Sequence, residues 1–268
     1  MELLLLGTGA AEGIPAFYSN SRVSQHARRH GGKEIRTRSG AIIDGSLKID
    51  LPPDTLMQMQ REGLDAQDWS ALLFTHGDDD HFAVRELQYA VHPFSQMDHI
   101  AFTIYGNNKI CTEIKANYPK WPIELYETRS FESFTHADFK ITPIEARHNH
   151  VEDCQNHIIE RGGKTMLYAT DTGVWHDKTW DFLASYSLDL LAIECTEGFA
   201  DEGYDGHLTL RECLFVVDRL RISKILKPGA RVVTTHHSHN GDGTFEELRD
   251  ALEPHGIEAG YDGYRIEI

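Results

Sequence analysis

Cysteine is scarce in this 268-residue chain: four residues, Cys111, Cys154, Cys195 and Cys213, are scattered with no Cys-x-x-Cys pair. That excludes a disulfide framework and points to a reducing compartment, so we expect a soluble cytoplasmic protein. Long apolar runs are missing too. Met1-Glu2-Leu3-Leu4-Leu5-Leu6 is too short for a signal peptide or a spanning helix, and it runs into a glycine turn, so it reads as a first core strand with no membrane partner. Basic residues are few, 26 Lys and Arg against 42 Asp and Glu, and the formal net charge of −16 argues against a nucleic-acid partner. A small anionic substrate stays open, because metals and a few local arginines set the field where it matters. No Pro/Ser-rich linker divides the chain, which predicts one domain over residues 1–268. Gly7-x-Gly9 is followed by Pro15 and no helical periodicity, against a dinucleotide site. Ser39 lacks a Gly-x-Ser-x-Gly context, against a serine hydrolase.

What the chain does have is Phe74-Thr75-His76-Gly77-Asp78-Asp79-Asp80-His81, with five histidines and aspartates within the six residues 76–81, at the end of the apolar run Ala71-Leu72-Leu73-Phe74. Carboxylates and imidazoles packed this closely repel one another or leave polar groups unpaired when buried, and divalent cations relieve both costs. The bland alternative is a solvated acidic turn, since Gly-Asp-Asp-Asp is also good loop chemistry.

The pattern resembles the His-x-His-x-Asp-His signature of the metallo-β-lactamase superfamily, with Asp78 where the second His usually stands. The family's further ligands, a lone His, a bridging Asp and a final His at later strand ends, have counterparts in order: His148 after Ile141 to Arg147, Asp171 after Lys164 to Thr170, and His236 after Arg231 to Thr235. Within the superfamily the chain looks most like the phosphoribosyl cyclic phosphodiesterases, through Leu6-Gly7-Thr8-Gly9, Gly13-Ile14-Pro15, Asp171-Thr172-Gly173, Gly206-His207-Leu208, Thr235-His236-His237-Ser238-His239-Asn240-Gly241 and Tyr261-Asp262-Gly263. Those relatives often carry a Cys-x-Cys-x-x-Cys zinc site where this chain has Ser19, Ser21 and Ser24, so that extra site is expected to be absent.

The resemblance implies an α/β fold, an αββα sandwich of two mixed β-sheets with helices on the outer faces. It implies two divalent metal ions, zinc or manganese, with iron also fitting. His76, Asp78 and His148 would hold one metal, Asp80, His81 and His236 the other, and Asp171 would bridge them. A metal-bridging hydroxide would then attack a small (cyclic) phosphodiester, with Asp80 and His207 as catalytic residues and His207 protonating the leaving alkoxide. Asp78 in place of His shifts the first position toward manganese or iron. His150 rivals His148 as ligand, His207 has a helix-capping or surface alternative, and His239 divides between phosphate contact and plain loop polarity. Arg38, in the basic stretch Arg22 to Arg38, is a second substrate candidate, although that stretch also reads as a solvated loop. Asp50 is a candidate for orienting a ligand histidine. Asp79 points to solvent. A homodimer is allowed. Competing activities are lactone or thioester hydrolysis, tRNA 3′-end processing, and a non-catalytic cofactor-assembly role on the same scaffold. His26, His30, His92, His99, His136, His176 and His255 belong to no constellation.

Local patterns supply the remaining elements. Ala41 to Asp44 and Leu47 to Asp50 form a hairpin about Gly45-Ser46, and Gln155 to Arg161 with Lys164 to Ala169 another about Gly162-Gly163. Helices are predicted after Pro52 with Asp54 as cap, over Val84 to Val91, Lys109 to Asn117, Leu208 to Leu220 and Glu246 to Leu252. Strands are predicted at Ile100 to Ile104, Ile123 to Tyr126, Ser130 to Phe134 and Asp189 to Glu194, and the chain closes on a strand pair, Ile257 to Ala259 with Tyr264 to Ile266.

Overall fold

The four leucines of the first strand, each at most 1 % exposed, divide between two cores. Leu3 and Leu5 point into a layer shared with Ile43, Ile49, Leu73, Ile141, Ile159 and Val233, while Leu4 and Leu6 join Ile42, Leu72, Phe74 and Ile104 on the opposite face. Such a continuous apolar run, buried on both faces, is the mark of a central strand covered by helices on one side and a second sheet on the other. Each leucine contributes roughly 1.5–3 kcal/mol by leaving water.

The computed structural model describes residues 1–96 and 100–268; His99 lies outside them. The first sheet is built from β1 (Glu2–Gly7), β2 (Gly40–Ile43), β3 (Leu47–Ile49), β4 (Ala71–Leu73), β5 (Thr103–Gly106) and β6 (Leu125–Glu127). The second contains β7 (Phe134–His136), β8 (Phe139–Glu145), β9 (Gln155–Arg161), β10 (Lys164–Ala169), β11 (Leu188–Glu194), β12 (Leu226–Thr235) and β13 (Glu258–Ala259), and the last strand, β14 (Tyr264–Glu267), returns to the first. The orders are β14-β1-β2-β3-β4-β5-β6 and β13-β12-β11-β10-β9-β8-β7. Both sheets are mixed: β3 to β6 run parallel, as do β10 to β13, and the remaining pairs are antiparallel. Helices α2 (Thr55–Glu62) and α3 (Asn108–Asn117) cover the outer face of the first sheet through Met59, Ile110 and Ile114. Helices α4 (Asp177–Leu183), α5 (Leu210–Ile222) and α6 (Phe245–Leu252) cover the second through Trp180, Val217, Leu220 and Leu248. This is the αββα sandwich expected from the sequence. Among the described residues no helix is long and apolar enough to cross a membrane.

Both hairpins form at the expected glycines. Several local expectations need correction. The basic stretch after Ser21 is not a loop but helix α1 (Arg22–His30), whose Val23 and Ala27 pack on Ile14. The serines preceding and opening it are spent on backbone geometry. Ser19 accepts from the Ser21 N–H, Ser21 caps α1 by accepting from the Ser24 N–H at 3.1 Å, and Ser24 accepts from the Ala16 N–H. Val84 to Val91 winds as a 3₁₀ helix over Val84–Ala90. Asp54 occupies the cap position of α2 but makes no capping bond; its carboxylate accepts from the backbone N–H and guanidinium of Arg38 instead. The two strands of the C-terminal pair belong to different sheets, β13 beside β12 and β14 beside β1. Two strands also shift. The one predicted at Ile100 to Ile104 forms over Thr103–Gly106, and the one at Ser130 to Phe134 over Phe134–His136.

Candidate metal centre

Polar residues end apolar strands along one rim of the sandwich: Asp50 after β3, Thr75 and His76 after β4, His148 after β8, Asp171 after β10, Glu194 closing β11 and His236 after β12. Rigid strands fix side chains better than a single loop does. Asp50, Asp171 and His236 all adopt positive φ, 57°, 49° and 54°, so each strand turns sharply where its functional side chain emerges.

The donor atoms fall chiefly into two groups around one carboxylate, with His207 also within 4.8 Å of Asp171 and His236. On one side, Asp78 Oδ2 is 3.5 Å from His76 Nε2 and 3.1 Å from His148 Nε2, while Asp171 Oδ1 lies 3.9 and 4.0 Å from the same two nitrogens. On the other, His81 Nε2 is 3.2 Å from Asp80 Oδ2, 3.0 Å from Asp171 Oδ2 and 3.3 Å from His236 Nε2. His236 Nε2 is itself 3.2 Å from Asp171 Oδ2. Asp171 thus offers a different oxygen to each group. His76, His148 and Asp171, and likewise Asp80, His81 and His236, each bring three ligand atoms within 4.8 Å of one another, a spacing that admits a metal ion.

Every histidine in the two groups turns Nε2 inward because its Nδ1 is held outside. His81 Nδ1 donates to Asp50 Oδ2 at 2.8 Å, His76 Nδ1 to Thr75 Oγ1 at 3.0 Å, His236 Nδ1 to Thr196 Oγ1 at 2.9 Å and His148 Nδ1 to the Gly206 carbonyl at 3.3 Å. Thr75 and Thr196 spend their own protons on Asp50 and on the His236 carbonyl, which fixes them as acceptors from the rings. The inward nitrogens are therefore free to act as ligands, the arrangement that outer hydrogen bonds impose at metal-binding histidines. Asp50 is itself fully buried and anchored by the Thr75 N–H at 2.8 Å. The buried ammonium of Lys48 donates to the Ile49 and Asp50 carbonyls, and burial pulls its pKa down to about 7.

The electrostatics describe a site short of positive charge. Burial pushes Asp171 and Asp80 up, yet charge on His236, His81 and His76 brings Asp171 well below the carboxylate range, and His81 does the same for Asp80. Asp78 is lowered by its hydrogen bond to His148 and then by the nearby His76 ring. For His81, burial opposes the charge, but Asp171, Asp80 and Asp50 win and raise its pKa well above the ordinary value. A bound divalent cation would supply the positive charge that these carboxylates call for.

Beside these groups stands His207, its ring centroid 5.0 Å from His148 and 5.5 Å from His236. His207 Nδ1 donates to Glu194 Oε1 at 2.9 Å, and Glu194, fully buried, also accepts from the N–H groups of Thr172 and Leu208. Burial lowers the His207 pKa, but the Glu194 charge overrides it and lifts it to about 9.

The structure therefore brings His76, Asp78, Asp80, His81, His148, Asp171, His236 and His207 to one place. His150 and Asp79 are exposed. Arg38 is not brought in as an anion contact: its guanidinium is taken up by Asp54 at 3.2 Å and the Ala11 carbonyl at 2.9 Å. His239 lies next to Glu12, with Nε2 3.8 Å from Oε1. Sequence reasoning missed Glu194 and Thr196, although Glu194 carries the same signal as the others, a polar residue ending a buried run.

A family model described as "Beta-lactamase superfamily domain" matches residues 43–237. An octanoyltransferase of Porphyromonas gingivalis (strain ATCC BAA-308 / W83) is 26% identical over 289 residues, covering 100% of this chain and 52% of that protein. The chain thus spans about half the length of the curated relative it matches. Among solved structures, a diphosphatase from the PhnP family superposes with a TM-score of 0.79 at 22% identity, covering 100% of this chain and 97% of the other. Zn(2+)-bound PqqB from Methylobacterium extorquens gives 0.78 at 18%, covering 100% of both chains. Human tRNase Z, short form, gives 0.67 at 19%, covering 100% and 99%.

Proposed function

Since this chain belongs to the beta-lactamase superfamily, we propose that it is a metal-dependent hydrolase with a dinuclear centre, cleaving a small phosphodiester. The observation that carries the reading is the pair of donor groups sharing Asp171, with the His207–Glu194 pair beside them. The residues fit two cations. His76 Nε2 is buried with no hydrogen-bond partner, an unsatisfied atom that a metal would occupy. Imidazole and carboxylate together suit zinc, manganese or iron, and the extra carboxylate Asp78 favours the harder ions at the first position. His76, Asp78 and His148 would hold one metal, and Asp80, His81 and His236 the second, with Asp171 between.

Two cations, when bound, supply a water of lowered pKa and positive charge against the attacked centre. The chain's own residues do the rest. His207, kept protonated by Glu194, carries a proton at Nε2 for the leaving oxygen. Asp50, Thr75 and Thr196 hold the ligand rings in register. The net charge of −16 supports a small anion over a polynucleotide as substrate, since a long polyanion would meet the whole acidic surface. The four buried free thiols are in keeping with a cytoplasmic setting.

The PhnP-family diphosphatase in the same fold supports phosphorus as the attacked centre. A second reading, acyl thioester hydrolysis, draws on the octanoyltransferase relative, whose matched part covers all of this chain. Purified protein supplied with manganese or zinc should turn over bis-p-nitrophenyl phosphate faster than an octanoyl thioester or a lactone. The reverse order would favour the acyl reading. A fully metal-loaded protein inert toward all three would overturn both.

A further inference from the structure

We propose that Lys109 restricts Asp78 to a single metal-facing oxygen, so that a carboxylate serves at the first position as a one-atom donor where a histidine is usual. The inference rests on the dinuclear reading above and adds to it a residue that the ligand pattern does not contain.

The two oxygens of Asp78 face different groups. Oδ2 looks toward His148 Nε2 at 3.1 Å and His76 Nε2 at 3.5 Å, whereas Oδ1 lies 3.9 Å from the Lys109 ammonium. A carboxylate is free to bind a cation through one oxygen or both, and a cation on the far oxygen removes that freedom. Lys109, in the first turn of α3, is itself held. Its Nζ is 2.8 Å from Glu152 Oε1, and the Glu152 side chain is 1 % exposed. Glu152 Oε2 accepts from the Gly77 N–H at 2.9 Å and from Asn107 Nδ2 at 2.7 Å. One buried carboxylate therefore grips both the ammonium and the backbone between His76 and Asp78. The lysine stem lies close across Gly77: a Cβ there would come within 3.1 Å of Lys109 Cε, so a side chain at 77 would press the lysine aside.

Asp in place of His adds a negative charge, and the Lys109 ammonium, paired first with Glu152 at 2.8 Å, meets it in part at 3.9 Å. With side chains 37 % and 40 % exposed, the Lys109–Asp78 pair is screened and adds little to stability. Its consequence is orientation.

The test uses the full chain loaded with cobalt(II), whose visible bands weaken as oxygen neighbours are added. Lys109→Met should release Oδ1 to the metal, read as a loss of visible absorption per cobalt and an added oxygen neighbour in X-ray absorption. Lys109→Arg, which keeps a cation in reach, should restore the wild-type spectrum. In an Asp78→His background Lys109→Met should change nothing, because the ring presents only one nitrogen. The second position keeps all its ligands throughout and serves as the internal reference. An unchanged spectrum for Lys109→Met, or the same change in both backgrounds, would overturn the role of Lys109 while leaving the metal centre standing. Wild-type protein that takes up no cobalt would overturn the metal reading and this inference with it.

Discussion

Replacing Asp80 or His81 by alanine is expected to abolish hydrolysis, by several orders of magnitude, in a chain that stays folded. The size follows from the proposed dinuclear centre: each variant would remove one ligand of the second metal, and with that metal the activated water and the charge opposing the transition state. Folding survives because these residues stand on the rim rather than in the core between the sheets. Asp80 makes the cleaner variant, since it is partly exposed and its neighbours are other site residues. His81 is fully buried, but its partner Asp50 keeps the Thr75 N–H and hydroxyl when the ring is removed. Turnover, metal content and circular dichroism measured on the same preparations check the prediction. Near wild-type turnover in either variant would exclude metal catalysis at this motif.

The second large effect concerns His207. His207→Ala should slow substrates with poor alkoxide leaving groups by about 10²–10⁴-fold, the usual scale of general acid catalysis. A nitrophenolate departs without a proton, so bis-p-nitrophenyl phosphate should suffer far less. The Glu194 carboxylate, 2.9 Å from the ring, makes the role specific: it raises the pKa to about 9 and so keeps the acid loaded at neutral pH. Equal losses on both substrate types, with metal content unchanged, would reassign His207 to positioning. No loss on either would leave it without a part in the reaction.

Much of this centre is written in one local device, an apolar strand that ends on a polar side chain. Leu73-Phe74-Thr75-His76, Tyr168-Ala169-Thr170-Asp171 and Val233-Thr234-Thr235-His236 all show it, and regular strands carry such ends to a common rim. Glu194 shows it as well, yet a lone glutamate after Leu191-Ala192-Ile193 looks like any strand end until His207 is known to face it. What stayed illegible depends on distant partners. Arg38 reads as an anion contact in a basic stretch, but Asp54, sixteen residues on, claims it. Helix α1 buries only Val23, Ser24 and Ala27, too few apolar positions for a periodicity to stand out. The strands near Ala259 and Tyr264 satisfy every local hairpin cue. They part because β1 offers β14 an open edge, an antiparallel pairing that includes Leu3 opposite Ile266 and that no short window contains. Lys109 was legible only as the start of a helix; that its ammonium reaches Asp78 follows from α3 docking beside the metal loop.

The shared carboxylate is the centre of the account, and anomalous diffraction tests it most directly. Crystals grown without chelator in the presence of manganese or zinc should give two peaks a few ångströms apart, one on each side of Asp171, with the first near His76, Asp78 and His148 and the second near Asp80, His81 and His236. No peak at this rim, or a lone peak with Asp171 turned away from it, would contradict the dinuclear centre.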